Sequence, residues 1–365
     1  MKVLIISDCD PRKEVRGGIG IYSYNLARFL NGRGVNVIFI GKKQNGAIIH
    51  KFERMNFLEL NKNPDQSNYV FLRNLFKISK KINLEHDTII HSQRPDWLAP
   101  FSNKPNKKVV TLHGSHAKNV YLKKGFIIGK LYSRLEKKGL EIADTIISVS
   151  NENAGHYKKA YKNYPGITKK IATIPVGINL SAFKNLDKIK SRKKYGFDKS
   201  DKIVIYIGRL EKEKNLKILI SACHQSGAKL IIVGEGRMEK ELKEFSRGLQ
   251  SDTIFYGPIA NRQVPEMLAC GDVFGITSLY EGFPTAIIEA FAAGLPVIST
   301  NVGDAPSLVV DGKTGFIVND ENIAEKIKIL LRDGAKYRKN CLNKSKKYSW
   351  DKIGEKLMRC YKLLV

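Results

Sequence analysis

Four charged residues have types and spacings suited to chemistry: the cations Arg209 and Lys214 in RLEKEK, and the acids Glu281 and Glu289 in EGFPTAIIE. The cations follow the apolar run IVIYIG and a turn at Gly208. Two cations fixed there can neutralise a diphosphate and the charge that develops as it leaves, or they are ordinary surface cations of a Lys-rich chain. The acids stand eight residues apart, near two helical turns, but Gly282 and Pro284 put Glu281 in a loop and Glu289 in the helix behind it. A carboxylate beside a nucleotide accepts hydrogen bonds from ribose hydroxyls, which suits Glu289, while Glu281 is placed for the hydroxyls of a sugar. Surface capping and salt bridging is the alternative for either acid. Phe283, Pro284 and Thr285 open the helix, and unpaired backbone N–H groups at that start are expected to face a phosphate.

A second group lies in the N-terminal half. Gly17, Gly18 and Gly20 resemble part of a dinucleotide fingerprint without completing it, so a nicotinamide cofactor is poorly supported. Gly17 and Gly18 can instead bring the backbone close to a phosphate or an acceptor, or merely form a tight turn. His113 closes KVVTLHG at a strand end beside Gly114 and ranks first among the histidines as a ligand contact. His91 and His116 are further candidates to line a cleft, with a structural role the default for His91. Asp8 and Asp10 form an Asp-x-Asp pair, read as turn or acceptor-side chemistry. No cluster has metal-site spacing, so neither a metal nor another cofactor is expected.

The elements that must position these residues alternate. KVLIIS, a glycine turn, the helical run IGIYSYNLARFLNGRG and VNVIFIG begin a parallel sheet with covering helices. Further strands are expected at residues 87–92, 108–114 and 144–150. A charged connector follows residues 170–179, and the rhythm restarts at Ile203 with helices over 215–227, 237–248, 263–270 and 285–294. The expected organisation is two parallel-sheet domains facing a cleft, over 1–180 and 181–345, which the family resemblance given below makes a Rossmann-like acceptor-side domain and a Rossmann-like nucleotide-sugar domain. A final helix over 346–365 is expected to cap the second domain or brace the first.

The chain has 365 residues, 42% of them hydrophobic, enough for two cores. A formal charge of +28 predicts attraction to polyanions or an anionic membrane. Residues 1–190 carry 34 basic and 14 acidic side chains, against 29 and 21 in the remainder. FLRNLFKISKKI (71–82) and KNVYLKKGFIIGKLYSRLEKKG (118–139) interleave cations with apolar residues, and either lie on anionic headgroups or pack on the core. Five cysteines without paired spacing fit a reducing cytoplasm. Neither a signal peptide nor a spanning helix is expected, so membrane contact would be peripheral, at the inner face of the plasma membrane. A specific nucleic-acid partner is not expected, since no reader motif accompanies the charge.

Together these residues resemble the retaining glycosyltransferases of family 4, with GT-B architecture. The most specific likeness is Glu281 to Glu289, followed by AFAAGLPVISTNVGDAPSLVVDGKTGFIV (290–318), in which Gly303 introduces the next loop and helix. The resemblance implies two Rossmann-like domains and transfer of a sugar from a nucleotide diphosphate sugar, most often a UDP-sugar, to an acceptor hydroxyl with retention. It implies that Arg209 and Lys214 bind the diphosphate and Glu289 the ribose. It implies that Glu281, with main-chain groups of Phe283, Pro284 and Thr285, holds the donor sugar and distal phosphate. His113 would lie next to the transferred sugar and the Gly17-Gly18 loop near the diphosphate, with no divalent ion required. The basic N-terminal half favours a lipid-linked or cell-envelope glycan acceptor. A soluble sugar or sugar-phosphate acceptor, and a non-enzymatic polyanion-binding protein, are the alternatives.

Overall fold

The structure is a computed structural model that describes residues 1–15, 17–61, 63, 67–114 and 125–365. Contacts divide the chain into two compact units, Met1–Gly177 with Trp350–Val365, and Ile178–Ser349. The first therefore takes back the C-terminal helix, and the chain crosses at Gly177/Ile178 and Ser349/Trp350.

In the first unit the strands are β1 (Lys2–Ile6), β2 (Asn36–Gly41), β3 (Met55–Glu59), β4 (Thr88–Ser92), β5 (Lys108–Leu112), β6 (Thr145–Ser148) and β7 (Ile171–Thr173). They form one parallel sheet in the order β3-β2-β1-β4-β5-β6-β7. β1 after Lys2 reads as an unbroken apolar run, and β4 and β5 are buried at every position, because both faces lie under helices. Before the first crossing, the described helices of six or more residues are α1 (Gly18–Gly32), α2 (Asn68–Lys81), α3 (Phe126–Ile142) and α4 (Asn151–Ala160).

The second unit carries β8 (Ile203–Ile207), β9 (Lys229–Val233), β10 (Thr253–Gly257), β11 (Val273–Ile276), β12 (Val297–Thr300) and β13 (Gly315–Val318). They too are parallel, in the order β10-β9-β8-β11-β12-β13. Its helices are α5 (Lys188–Tyr195), α6 (Leu216–Ser226), α7 (Glu239–Gly248), α8 (Val264–Ala269), α9 (Thr285–Ala293), α10 (Ile323–Asp333) and α11 (Ala335–Ser345). Strand order reverses direction between β1 and β4 in one sheet and between β8 and β11 in the other. At such a switch point neighbouring loops diverge to opposite faces and leave a crevice at the carboxyl ends of the strands.

The last helix, α12 (Trp350–Lys362), buries Trp350, Ile353, Gly354, Leu357 and Tyr361, a single stripe at helical spacing, in the first unit. Gly354 lets it press on α1, since a Cβ there would sit 2.6 Å from the Phe29 ring. Tyr361 reaches the centre of the sheet. Burial keeps its phenol protonated, and its hydroxyl is hydrogen-bonded to Nδ1 of the fully buried His91, whose Nε2 is hydrogen-bonded to Thr111 Oγ1 at 2.7 Å. His91 is therefore structural, and burial lowers its pKa to about 3, so it stays neutral. Tyr361→Phe leaves a buried nitrogen unpaired and should lower stability by about 1–3 kcal/mol, read as a drop in the urea midpoint at unchanged slope; an unchanged midpoint would contradict the docking of α12 through this bond.

Candidate functional site

In the second unit the site is built from the loops that follow β8 and β11, at the switch point. The chain leaves β8, turns through Gly208, and forms a single 3-10 turn Lys212–Lys214 before Asn215, at φ 49°, starts α6. The loop after β11 clamps it: Thr277 Oγ1 donates to the carbonyls of Lys214 and Asn215 at 3.3 and 3.1 Å, and Leu279 N–H donates to the Glu213 carbonyl at 2.8 Å. These bonds hold Lys214 Nζ 2.6 Å from Glu281 Oε1, which also accepts from Ser278 Oγ at 2.7 Å. Both charged side chains are about 15% exposed, so the pair is partly desolvated. A lone ammonium or carboxylate there would be costly.

Two glycines permit this assembly. At Gly234, where β9 ends, a Cβ would stand 1.9 Å from the Gly208 carbonyl oxygen, and the φ of +137° is itself unfavourable for other residues. Gly303, at φ +54°, lies under the Glu281 loop, with the Glu281 and Gly282 carbonyl oxygens 2.8 and 3.0 Å from where a Cβ would be. Arg209 is placed differently. Its side chain is 70% exposed and, among the described residues, pairs only with Glu213 Oε1, at 3.2 Å, an arrangement worth little in water and free to exchange.

Glu289 is the fifth residue of α9, half-buried between the fully buried Ile288 and Ala290. Desolvation raises its pKa from 4.5 to about 7, and neither a hydrogen bond nor an ion pair to its carboxylate is found among the described residues. Such a group fits donors that arrive with a ligand. The start of α9 departs from the expectation. Pro284 has no N–H to give, and the Thr285 N–H is already bonded to the Phe283 carbonyl at 2.8 Å. Only Phe283 of the three retains a possible N–H role; Pro284 and Thr285 offer shape and the Thr285 hydroxyl.

In the first unit, Gly17 is at φ 75° at the start of α1, and nothing lies within 4 Å of a Cβ built on it or on Gly18. His113 follows β5. Its Nε2–H donates to Oε1 of the buried Gln93 at 2.9 Å, its ring meets Tyr22 edge-on at 4.8 Å, and Tyr22 in turn meets Trp350 at 5.3 Å. Burial lowers the His113 pKa to about 3. With Nε2 donating to Gln93, Nδ1 is left as an acceptor and the imidazole is neutral. Gln93, at the end of β4, was not legible in the sequence. Nothing marks a lone Gln between a Ser and an Arg until β4 and β5 are known to be adjacent. Asp10 is a turn residue, bound at 2.9–3.0 Å by the backbone and guanidinium of Arg12. His116 and residues 118–124 of the basic stretch lie outside the described residues, among which no cluster of metal ligands occurs.

Two family models match in succession: Glycosyltransferase Family 4 over residues 16–182 and Glycosyl transferases group 1 over residues 187–348. An uncharacterized glycosyltransferase of Methanocaldococcus jannaschii is 27% identical, covering 100% of this chain and 98% of its own. A putative teichuronic acid biosynthesis glycosyltransferase, TuaC of Bacillus subtilis, is 32% identical over 55% of this chain and 48% of its own. The solved structure of HepE from Anabaena, in complex with UDP, superposes with a TM-score of 0.78 at 20% identity over the whole of both chains. That likeness shows the shared fold, two Rossmann-like domains of GT-B type.

Glu289 makes a stability prediction that needs no ligand. Its pKa is raised on folding, so the charged form is disfavoured in the folded state, and stability is lost as pH climbs from the ordinary carboxylate range through about 7. Glu289→Gln should therefore unfold at higher urea than the parent at pH 8, by on the order of 2 kcal/mol, with the gain vanishing near pH 4.5. A variant less stable at pH 8 would mean that the carboxylate has a structural partner.

Proposed function

We propose that this chain, a GT-B-fold glycosyltransferase related to both families, moves a sugar from a nucleotide diphosphate sugar to the hydroxyl of a lipid-linked or other cell-envelope glycan. UDP is the favoured nucleotide, and the anomeric configuration is retained. The observation that carries the reading is the Lys214–Glu281 pair held at the switch point, with Arg209 beside it on the same loop and an unpartnered, desolvated Glu289 on α9.

Lys214 gives one N–H to Glu281 and keeps two for a phosphate oxygen. Arg209 can leave Glu213 for the same diphosphate. Their charge stabilises the β-phosphate as negative charge builds on it, which is where transfer from a nucleotide sugar needs help. Glu289 takes the ribose hydroxyls, and Glu281 and the Phe283 N–H the distal end of the donor. Neutral His113, held by Gln93, accepts from a sugar hydroxyl, and the Gly17-Gly18 backbone approaches the diphosphate. No group is assigned as a covalent nucleophile: the departing phosphate oxygen takes the proton of the attacking hydroxyl on the same face. The cations supply what a metal would, so no divalent ion is required. HepE binding UDP supports the base, and the teichuronic acid relative together with the basic N-terminal half supports the acceptor class.

Calorimetric titration with UDP, GDP and ADP tests the donor. UDP should bind most tightly, unaffected by EDTA, and Glu289→Ala should weaken it about tenfold or more. Ribose hydroxyls donate to the charged carboxylate, so binding must expel a proton below about pH 7. Affinity should then fall as pH drops from 8 to 6, with heat that depends on buffer ionisation, and both effects should disappear in the variant. Absence of binding by all three nucleotides would reject the assignment.

A further inference from the structure

One hydrogen bond fixes one point of an imidazole and leaves its plane free to turn about that point. Among the described residues His113 has one, between Nε2 and Gln93 Oε1 at 2.9 Å, and its ring is only half-buried beyond the end of β5. A second hold is needed if Nδ1 is to keep a single direction. It comes from an aromatic pair distant in sequence. Tyr22 of α1, fully buried, meets the imidazole with 4.8 Å between ring centroids and 79° between planes. Edge-to-face pairs add little stability beyond the area they bury, but they prefer a defined angle. An aliphatic residue at Tyr22 would fill the space without setting that angle.

Tyr22 is itself held. Trp350, the first residue of α12 and also buried, meets it at 5.3 Å and 60°. Gly177 lets the chain pass close against that indole, since a Cβ there would stand 3.1 Å from Trp350 Cδ2 and 3.2 Å from Ile353 Cβ. Where α12 presses on α1 at Gly354, the helix that carries Trp350 and the helix that carries Tyr22 are locked together. The tyrosine therefore has no room to retreat from His113. Tyr22, Gln93, His113 and Trp350 all belong to the first unit, yet they come from α1, the end of β4, the end of β5 and the returning C-terminal helix.

We propose that Trp350 is a positioning residue for His113 and acts through Tyr22: the C-terminal helix holds the tyrosine, and the tyrosine holds the imidazole plane so that Nδ1 keeps the direction in which it accepts from a sugar hydroxyl. This rests on the reading that His113 contacts the transferred sugar, and it adds that α12 completes that contact as well as bracing the sheet. Reacting groups tolerate little displacement from their productive geometry, so a loosened imidazole costs turnover even where the nucleotide still binds.

The test uses the full chain, isotopically labelled at its histidine ring nitrogens, with His113→Gln to identify the His113 signal by magnetic resonance. At neutral pH the parent should show one neutral tautomer with a slowly exchanging Nε2–H. Tyr22→Leu and Trp350→Leu should each speed that exchange and average the tautomers, while Trp350→Phe, which keeps a ring, should restore most of the parent signal. Leu357→Ala, about two turns further along the buried stripe of α12, should lower the urea midpoint and leave the His113 signal unchanged. With UDP-glucose, UDP-galactose or UDP-N-acetylglucosamine as the probe and water as the acceptor, kcat for UDP release should fall about tenfold or more in both Leu variants, with KM and UDP affinity unchanged. The proposal is overturned if Trp350→Leu gives the parent signal, if Leu357→Ala disturbs the signal equally, or if a variant with a loosened His113 turns over as fast as the parent. Should the parent neither bind UDP nor release it from any of these sugars, the transferase reading falls, while the histidine signal still decides the positioning.

Discussion

The Lys214–Glu281 ion pair is the constraint around which the second unit is arranged. Two loops 67 residues apart in sequence must meet so that a partly desolvated ammonium and a carboxylate touch at 2.6 Å. Every neighbouring feature serves that meeting. Thr277 and Leu279 stitch the loops by backbone carbonyls, Ser278 fills a further acceptor position of the carboxylate, and Gly234 and Gly303 remove the side chains that would hold the loops apart. The parallel sheet makes this possible, because strand reversal between β8 and β11 delivers both loops to the same edge and leaves room between them.

Within its two units the protein controls charge by different means at different groups. Lys214 and Glu281 neutralise each other. In the first unit His113 is kept neutral by burial, and its Nε2 is held by Gln93. Glu289 is left desolvated, with no hydrogen bond or ion pair to compensate it among the described residues. A structure optimised for stability alone would not keep a carboxylate in that state, and the strain is relieved by any ligand that brings hydroxyl donors.

The alternation of strands and helices was legible because parallel strands buried on both faces carry uninterrupted apolar runs: KVLII, IVIYI and KLIIV stand out without an alignment. Two strands lacked that signal. β3, MNFLE, is a half-buried edge strand, and β13, GFIV, is a four-residue edge strand. The candidate residues at the ends of strong strands were readable for the same reason. Gln93 and Ser278 were not, since their roles depend on which strands and loops become neighbours. The expected N–H cradle at Phe283, Pro284 and Thr285 failed on chemistry visible in the sequence itself, the missing proline N–H, and on a local turn, Thr285 to Phe283, that sequence does not reveal.

The two cations of the site are not equivalent, and their difference follows from exposure. In the ligand-free chain each has a carboxylate partner, Glu213 for Arg209 and Glu281 for Lys214. A diphosphate reaching this loop must compete with the first and need not compete with the second. Arg209 is mostly in water, where its pair with Glu213 is weak and its fork can be re-aimed at a phosphate with two parallel hydrogen bonds. Lys214 is partly buried, and releasing Glu281 would strand a desolvated carboxylate, so the ammonium keeps that contact and uses its remaining N–H groups. Arg209 is thus the mobile clamp and Lys214 the fixed charge. Fixed, pre-oriented charge is the kind that stabilises a transition state without reorganising as the reaction proceeds, so under the proposed function Lys214, more than the longer-reaching arginine, is the cation expected where the leaving phosphate gathers its charge.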